Sequence, residues 1–387
     1  MSLLRRGRAA KMLPQALGDQ QRLHALIRHP PPSLSATSSG IALGGIASRV
    51  HNQRPPFSAD QAVPMPQPLS EEDLQTVHER AYASFDAGQL EQAAQHFATL
   101  LAHAPDARYY HYMQGLVHKY RLDWHQSLRH NLRALALGEE ADEAAQWNAG
   151  IAATAIGDWA QARAQWAACG IGIPEGEGPI ETDFGVVSVR LNPWSHGETL
   201  FAQRIDVVRA RLLNVPLPES GHRYGDIILH DGAATGRRAF RDRTVPVFNA
   251  LARLQPSPFQ TFTVFAHCPA PEDRDALQDT PAGDEIALVE DWTETLVNYC
   301  LRCSYGAATH PHRDASPDTW KSDRDFGVAA VQRGSLETWL QHWQAGAAGR
   351  RIDAVELRET DPPLRQDGMA WWISPDEAAD DGMAETS

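Results

Sequence analysis

The sequence predicts an α+β protein, with a stack of helical hairpins followed by a mixed, strand-rich half. Apolar residues recur at three- and four-residue steps from Ser70 to about residue 170, a spacing typical of amphipathic helices. Beyond that point the apolar spacing is nearer two, and Val, Ile, Phe and Thr are frequent, as in β-strands. The expected boundaries are 1–68 for a disordered leader, 69–175 for the helices, 176–358 for the α+β half and 359–387 for an acidic, mostly disordered tail.

Composition narrows the classes of function. The chain has 387 residues, 42% of them hydrophobic, which is enough for two domains with cores. Its formal charge of −14 argues against general binding to nucleic acid or anionic membranes. No apolar run approaches the roughly 18 residues that a membrane span needs. The four cysteines fit a reducing compartment, so we expect a cytoplasmic protein that binds neither nucleic acid nor membrane.

Residues 1–68 are rich in proline and basic residues and lack a sustained apolar period. Such a composition buries too little apolar surface to offset the entropy of the chain. One interpretation is an organelle-targeting segment, since transit peptides are rich in Arg and Ser and poor in acidic residues. The other, which we favour, is an unstructured leader or an overlong start with translation beginning near Met65.

Three helical hairpins are expected in the first half. The first begins at Ser70, whose hydroxyl and the Asp73 carboxylate give a capping-box-like start, and it turns at Gly88. Its second helix covers 90–103 and stops before Pro105. The other hairpins are expected at 107–120 with 123–138, and at 143–156 with 158–169.

The hairpins repeat with a nearly fixed period. The small residues Ala93, Ser127 and Ala162 are 34 and 35 residues apart, a period that marks stacked two-helix units. These units resemble the tetratricopeptide repeat (TPR) family through Ala81, Ala93, Phe97 and Pro105 in the first, Gly115 and Ser127 in the second, and Gly150, Ala162, Trp166 and Pro174 in the third. The second unit departs from the family pattern, because Asn131 stands where the family has an aromatic residue.

The resemblance implies a concave groove, lined by the first helix of each unit, that holds an extended peptide or a partner helix. Carried over to this sequence, the partner-binding positions are His78, Tyr82, Phe85, Tyr109, Tyr112, Lys119, Trp147 and Thr154. Aromatic and long side chains suit a recognition surface. The alternative is that the aromatic residues pack against neighbouring helices, as aromatic stripes at helical spacing usually do.

The second half is expected to alternate strands with a few helices. Strands are predicted at 186–191, 199–205, 210–215, 224–230, 260–267, 285–290, 326–331 and 351–357. Helices are predicted at 245–254, 271–279 and 335–345. The order strand, helix, strand across 260–290 resembles half of a ferredoxin-like sandwich.

Two groups of residues in the second half carry possible chemistry. Cys300, Cys303, His310 and His312 have thiolate and imidazole ligands that suit a closed, structural zinc site, although a buried cysteine pair with two solvated histidines would look the same. His230 and Asp231 end a predicted strand and, with His222, could supply a general base or metal ligands. An Asp-Gly pair in this position is more typical of a hairpin turn.

Together these observations favour an adaptor or scaffold that binds a partner protein or peptide in the repeat groove, without enzymatic activity. A metal-dependent hydrolase or isomerase in the second half is the alternative. Chaperone-like shielding of a partner is a further one. Trp371 and Trp372 could dock onto the body of the protein or onto a partner.

Overall fold

The computed structural model describes residues 69–195, 197–280, 283–293 and 320–373. It has the α+β arrangement that the sequence predicts, with helices in the first part and a sheet-rich second part. Cys300, Cys303, His310 and His312 lie outside the described residues, so the zinc site stays a prediction.

Among the described residues, the first part contains six helices that pack as successive antiparallel hairpins. They are α1 (Glu71–Asp86), α2 (Leu90–His103), α3 (Arg108–Tyr120), α4 (Trp124–Leu137), α5 (Glu143–Ile156) and α6 (Trp159–Ala168). The capping box of Ser70 and Asp73 at α1 is confirmed, and Asp side chains cap α4, α5 and α6. In the ranges that the structure describes, no helix has the length and apolarity needed to cross a bilayer.

Small residues allow the two helices of a unit to approach closely. A Cβ at Gly115 would lie 2.5 Å from Nδ2 of Asn131, and a Cβ at Gly150 would lie 2.6 Å from the Trp166 ring. Asn131 therefore occupies in the second unit the place that Trp166 takes in the third. The Ser127 hydroxyl, which donates to the Gly115 carbonyl at 2.8 Å, completes this contact. The helices thus have the packing of helical repeats.

A five-stranded closed barrel follows the helices. Its strands are β1 (Val186–Leu191), β2 (Glu198–Arg204), β3 (Arg209–Leu212), β4 (Ile227–Phe240) and β5 (Arg243–Gln255). Consecutive strands are antiparallel, and parallel pairing of β1 with β5 closes the barrel. The helix predicted at 245–254 is wrong, because this segment is β5 and pairs with β4.

In the last part, the described residues form a four-stranded antiparallel sheet with two helices. Its elements are β6 (Gln260–His267), α7 (Pro271–Asp279), β7 (Ile286–Asp291), β8 (Asp323–Ala330), α8 (Arg333–Ala345) and β9 (Arg351–Leu357). The strand order is β7-β8-β6-β9. This βαββαβ order is that of ferredoxin-like sandwiches, and it extends the resemblance seen in the sequence to the whole sheet. The helices predicted at 271–279 and 335–345 are α7 and α8.

The segment 358–373, called the strap here, does not follow the expectation of a disordered tail. It runs along the barrel, where Trp194 Nε1 donates to the Pro363 carbonyl at 2.8 Å and Asn249 Nδ2 donates to the Trp371 carbonyl at 3.2 Å. The strap also contacts the helices. Residues 374–387 lie outside the described part of the chain.

Candidate protein-interaction surface

The residues that the sequence assigns to partner binding lie on α1, α3 and α5, whose shared surface is called the first-helix face here. The structure divides them into two groups. Phe85, Tyr112, Lys119, Trp147 and Thr154 are buried. His78, Tyr82 and Tyr109 remain partly exposed. Other parts of this chain lie over Phe85, Lys119 and Trp147 of the first group.

Strand β4 covers the α3 and α5 part of the face. Lys119 Nζ donates to Asp231 Oδ1 at 2.8 Å and to Asn148 Oδ1 at 3.1 Å. The next residue of β4, Gly232, lies directly against the Trp147 indole, because a Cβ added there would be 2.0 Å from Nε1. The backbone of β4 thus lies in close contact with the Trp147 ring, a position that the sequence analysis assigns to partner binding.

The proposed catalytic residues have other contacts in the structure. His230 is fully buried, its ring stacks on Phe248 at 4.7 Å, and its Nδ1 lies 2.9 Å from the Asp231 carbonyl. Burial lowers the pKa of His230 to about 3. The Asp231 carboxylate is engaged by Lys119. His222 lies in the turn before β4, with its Nδ1 3.7 Å from Asp226 Oδ2.

The strap covers the α1 and α3 side of the face with two tryptophans. The Trp372 ring stacks on Tyr120 at 4.4 Å and 7°, and lies 5.2 Å from Phe85. The Trp371 ring meets Tyr120 edge-on at 5.3 Å and Trp194 at 5.4 Å. Trp371 and Trp372 of the strap therefore pack against aromatic residues of the helices. Of the two alternatives that the sequence leaves open for this pair, docking onto the body of the protein is the one observed.

An acidic residue of the strap caps α2. Gln89 at the N-cap of α2 makes no side-chain cap, and Asp367 Oδ1 instead accepts from the Leu90 amide at 2.8 Å. Carboxylates are favourable at helix N-termini, where backbone amides lack partners inside the helix. The sequence carries a signal for this contact, because α2 alone among the second helices begins without an Asp N-cap.

The turn between α1 and α2 requires glycine for two reasons. Gly88 has a φ of +72°, which side chains rarely adopt, and a Cβ there would lie 2.4 Å from the carbonyl carbon of Met369. The Gly368 amide donates to the Gly88 carbonyl at 2.8 Å. The strap thus lies backbone to backbone against this turn.

Four partly exposed rings form the other part of the face, called the aromatic patch: His78, Tyr82, Tyr109 and Tyr110. Successive ring centroids are 4.8 Å apart for His78 and Tyr82, and 4.7 Å apart for Tyr109 and Tyr110. His78 Nδ1 lies 3.1 Å from the Tyr110 hydroxyl. Burial lowers the pKa of His78 and raises the pKa of Tyr110 to about 12, so both are neutral near pH 7.

In the part of the chain that the structure describes, no group of three or more His, Cys, Asp or Glu side chains is placed to hold a metal ion. Cys169 and Cys268 are free thiols. The four zinc ligands predicted from the sequence are not among these residues. The described chemistry of the first-helix face is accordingly that of aromatic packing, one buried ion pair and one helix cap.

No protein-family model matches the chain, and no curated protein matches it. Among solved structures, the chain is similar to one described as the CopN-Scc3 complex, with 18% sequence identity and a TM-score of 0.25. The match covers 26% of this chain and 59% of that chain, so this protein spans less than two thirds of the length of its structural relative.

Proposed function

We propose that this protein is an adaptor, and that the aromatic patch on its TPR-like helices binds an extended segment of a partner protein. The observation that carries the proposal is the division of the first-helix face. One part is buried under β4 and the strap, whereas the aromatic patch at the other end has no covering segment among the described residues and stays partly exposed.

The segments of this chain that cover the rest of the first-helix face indicate what kind of ligand the aromatic patch would bind. The β4 segment that covers one part of the face is an extended strand, and the strap covers another part with the aromatic rings of Trp371 and Trp372. Large aromatic side chains bury much apolar area with few rotatable bonds, and they are enriched among the residues that dominate binding energy. The partner segment is therefore expected to be extended and to place at least one aromatic side chain on the patch.

The proposed site is shorter than the groove that a three-unit TPR stack implies. Lys119, Trp147 and Thr154 lie under the chain and are not available to a partner. The proposed contact residues are thus those of the first two units, chiefly His78, Tyr82 and Tyr109. Such a site fits a short linear segment better than a long helix.

Peptide selection tests the proposal and requires no candidate partner. Random peptides displayed on phage are selected on the immobilised full chain, and the dissociation constant of an enriched peptide is measured by calorimetry. The double variant His78→Ala, Tyr109→Ala is expected to weaken binding by at least about tenfold, since truncating a central aromatic contact costs about 2 kcal/mol.

Two variants serve as controls matched by residue type. His125→Ala removes an exposed histidine of α4, and Tyr224→Ala removes a partly exposed tyrosine of the barrel region. Both are expected to bind the peptide as the unchanged protein does. Failure to enrich any peptide, or equal loss of binding in the controls and in the patch variant, would contradict the proposal.

A further inference from the structure

The hairpin that joins β4 to β5 carries four arginines close to its turn. Strand β5 pairs with β1 only at 247–249, so the end of the β4–β5 hairpin extends past the rest of the barrel. Residues 237–243, called the arginine hairpin here, contain Arg237, Arg238, Arg241 and Arg243 against one acidic residue, Asp242. This local surplus of positive charge lies in a chain whose formal charge is −14. The arginine hairpin takes no part in the proposed adaptor site.

Three of these arginines lack a counter-ion in the described structure. Arg237, Arg241 and Arg243 are exposed, and no acidic side chain of the described ranges forms an ion pair with them. Arg237 instead donates to the Thr244 hydroxyl at 3.0 Å. Like charges in one cluster repel each other, and an anionic group that binds there relieves the repulsion. The arginine hairpin is therefore a surface that suits an anionic ligand.

Stacking on two phenylalanine rings arranges the guanidinium groups. Arg238 lies 4.7 Å from the centre of the Phe201 ring, and Arg241 and Arg243 lie 5.3 and 5.8 Å from the centre of the Phe240 ring. A guanidinium on a ring keeps its N–H groups at its edge, where a carboxylate can bind. Because arginines lie over both rings and the rings pack on each other at 4.8 Å, the bases of a nucleic acid gain little stacking here. Carboxylates fit this surface better than nucleic acid.

Residues 374–387 of this chain have the matching charge. They include five acidic residues and no basic one: Asp376, Glu377, Asp380, Asp381 and Glu385. A separate acidic molecule is repelled by a chain with a formal charge of −14. A segment of the same chain is held near the arginines by its tether, at an effective concentration in the millimolar range. The chain's own acidic segment is therefore favoured over an acidic partner in solution.

The strap brings this segment to the arginine hairpin. The Trp371 carbonyl, near the end of the strap, accepts a hydrogen bond from Asn249 Nδ2 at 3.2 Å. Asn249 of β5 pairs with Arg190 of β1, which pairs with Thr199 of β2. The Thr199 carbonyl accepts a hydrogen bond from Arg238. Neighbouring strands are about 4.8 Å apart, so the strap and Arg238 bind to positions about 10 Å apart on the barrel. Residues 374–387 span about 45 Å when extended, which is more than this distance.

We propose that residues 374–387 dock on the arginine hairpin, with their carboxylates on Arg237, Arg241 and Arg243. This docking continues the course of the strap along the barrel. It adds an electrostatic contact, which salt weakens, to the aromatic contacts of the strap. The docked segment also keeps other anions from the arginine hairpin.

Chemical cross-linking tests the proposal in the full chain. A carbodiimide joins a carboxyl group to an amine that is in direct contact with it. The double variant Arg241→Lys, Arg243→Lys keeps the positive charge of the arginine hairpin and supplies two amines. Mass spectrometry is expected to find cross-links between the introduced lysines and the acidic residues of 374–387.

Two controls assign these cross-links. Arg211→Lys places an amine at an exposed position of β3 in the same barrel and should give no cross-link to residues 374–387. A mixture of ¹⁵N-labelled and unlabelled chains separates contacts within one chain from contacts between two copies. Cross-linked peptides of a single isotope composition are expected, whereas mixed ones would indicate docking of a second copy and would contradict the proposal.

A peptide in solution measures the competition. The probe is a dye-labelled peptide with the sequence of residues 374–387, and its binding is followed by fluorescence anisotropy. A full chain whose five acidic residues in 374–387 are changed to Asn or Gln is expected to bind the peptide at least about tenfold more tightly than the unchanged chain, because its own segment no longer competes. Adding Arg241→Gln and Arg243→Gln to this variant should weaken binding at least about tenfold, as should an increase of salt from about 50 to about 500 mM.

The control for net charge changes five exposed glutamates elsewhere to Gln: Glu139, Glu140, Glu175, Glu177 and Glu181. This variant should bind the peptide as weakly as the unchanged chain does. The proposal is overturned if the introduced lysines give no cross-link to residues 374–387 or react no more than the Arg211→Lys control. It is also overturned if both five-residue variants bind the peptide equally, or if a labelled oligonucleotide binds more tightly than the peptide, which would indicate a nucleic-acid surface.

Discussion

Lys119 of α3 and Asp231 of β4 form an ion pair, with Nζ 2.8 Å from Oδ1 and both side chains almost completely buried. The residues are 112 positions apart, so the pair joins the barrel to the first-helix face. Asn148 Oδ1 accepts a second hydrogen bond from Lys119, whose ammonium group lies 4.9 Å from the centre of the Tyr120 ring. A buried charge of this kind is stable only while its partner is present.

Asp231→Asn is expected to lower the free energy of unfolding by about 3–5 kcal/mol, because it leaves the Lys119 charge buried without its counter-ion. Urea unfolding followed by circular dichroism measures the change. Glu337→Gln, which removes the exposed pair with Arg333, is the control and should cost less than about 1 kcal/mol. Equal effects of the two substitutions would show that the Lys119–Asp231 pair is not buried as described.

Because the strap is docked, substitution of its tryptophans is expected to lower the free energy of unfolding strongly. Trp371→Ala is expected to lower the free energy of unfolding by about 3–5 kcal/mol, since the side chain is 5% exposed and its removal leaves a cavity. Leu364→Ala changes an apolar strap residue that is 89% exposed and should have almost no effect. Chemical denaturation compares the variants, and a Trp371→Ala protein as stable as Leu364→Ala would exclude the docked strap.

Substitution of two glycines that have similar backbone angles distinguishes the cost of backbone strain from the cost of losing the contact with the strap. Gly88 and Gly157 have φ values of +72° and +75°. A methyl group added at Gly88 would lie within 3 Å of the strap backbone, whereas the atom nearest to one added at Gly157 would be 3.9 Å away. Gly157→Ala is expected to cost about 1–2 kcal/mol from backbone strain. Gly88→Ala should cost more and should make the strap sensitive to limited proteolysis. Equal proteolysis of the two variants would contradict the contact.

Stability should depend on pH through Glu198. Burial raises the pKa of this β2 carboxyl to about 8, above the value of 4.5 expected for an exposed group. Between these values the folded state binds more protons than the unfolded state, so stability falls as the pH rises from about 4.5 to about 8. Glu198→Gln removes this loss, and its advantage over the unchanged protein in urea unfolding should grow from pH 5 to pH 8.

The exposed Glu177, which is not among the charges that shift the pKa of Glu198, provides the control for this titration. Glu177→Gln should change stability by a similar small amount at both pH values. An advantage of Glu198→Gln that stays constant with pH would show that Glu198 is ionised in the folded protein throughout this range.

The sequence predicts the helices well and fails at β5 for a physical reason. Helices α1, α2, α4 and α6 each bury one face, so their apolar residues keep the helical period, and α3 and α5, which are buried nearly all round, are identified by their place in the repeat. In β5, Phe248 and Ala250 point into the barrel, whereas Leu251 and Leu254 join the core with the helices. Burial on both faces removes the alternation that marks a strand, and the apolar spacing of 245–254 then fits a helix equally well.

The candidate site is predictable only in part. The choice of His78, Tyr82 and Tyr109 on first helices follows from the resemblance of the hairpins to the TPR family. Which part of the face stays open depends on Gly232 and Trp372, which come from far along the chain and whose docking no local pattern specifies. The absent side-chain cap at Gln89 is the one local sign that a distant carboxylate is needed.

The course of the strap has a consequence for how the protein denatures. A single short segment bonds to Pro218 near the barrel through Thr360, to Trp194 and Asn249 of the barrel, and to the first helical turn of α2. Separation of the helices from the barrel breaks the bonds of the strap to one of the two, and Glu290 of β7, which accepts from Asn214 Nδ2 and the Val215 amide, joins the sheet to the barrel. The helices, the barrel and the sheet should therefore melt in one cooperative calorimetric transition, rather than as three independent domains.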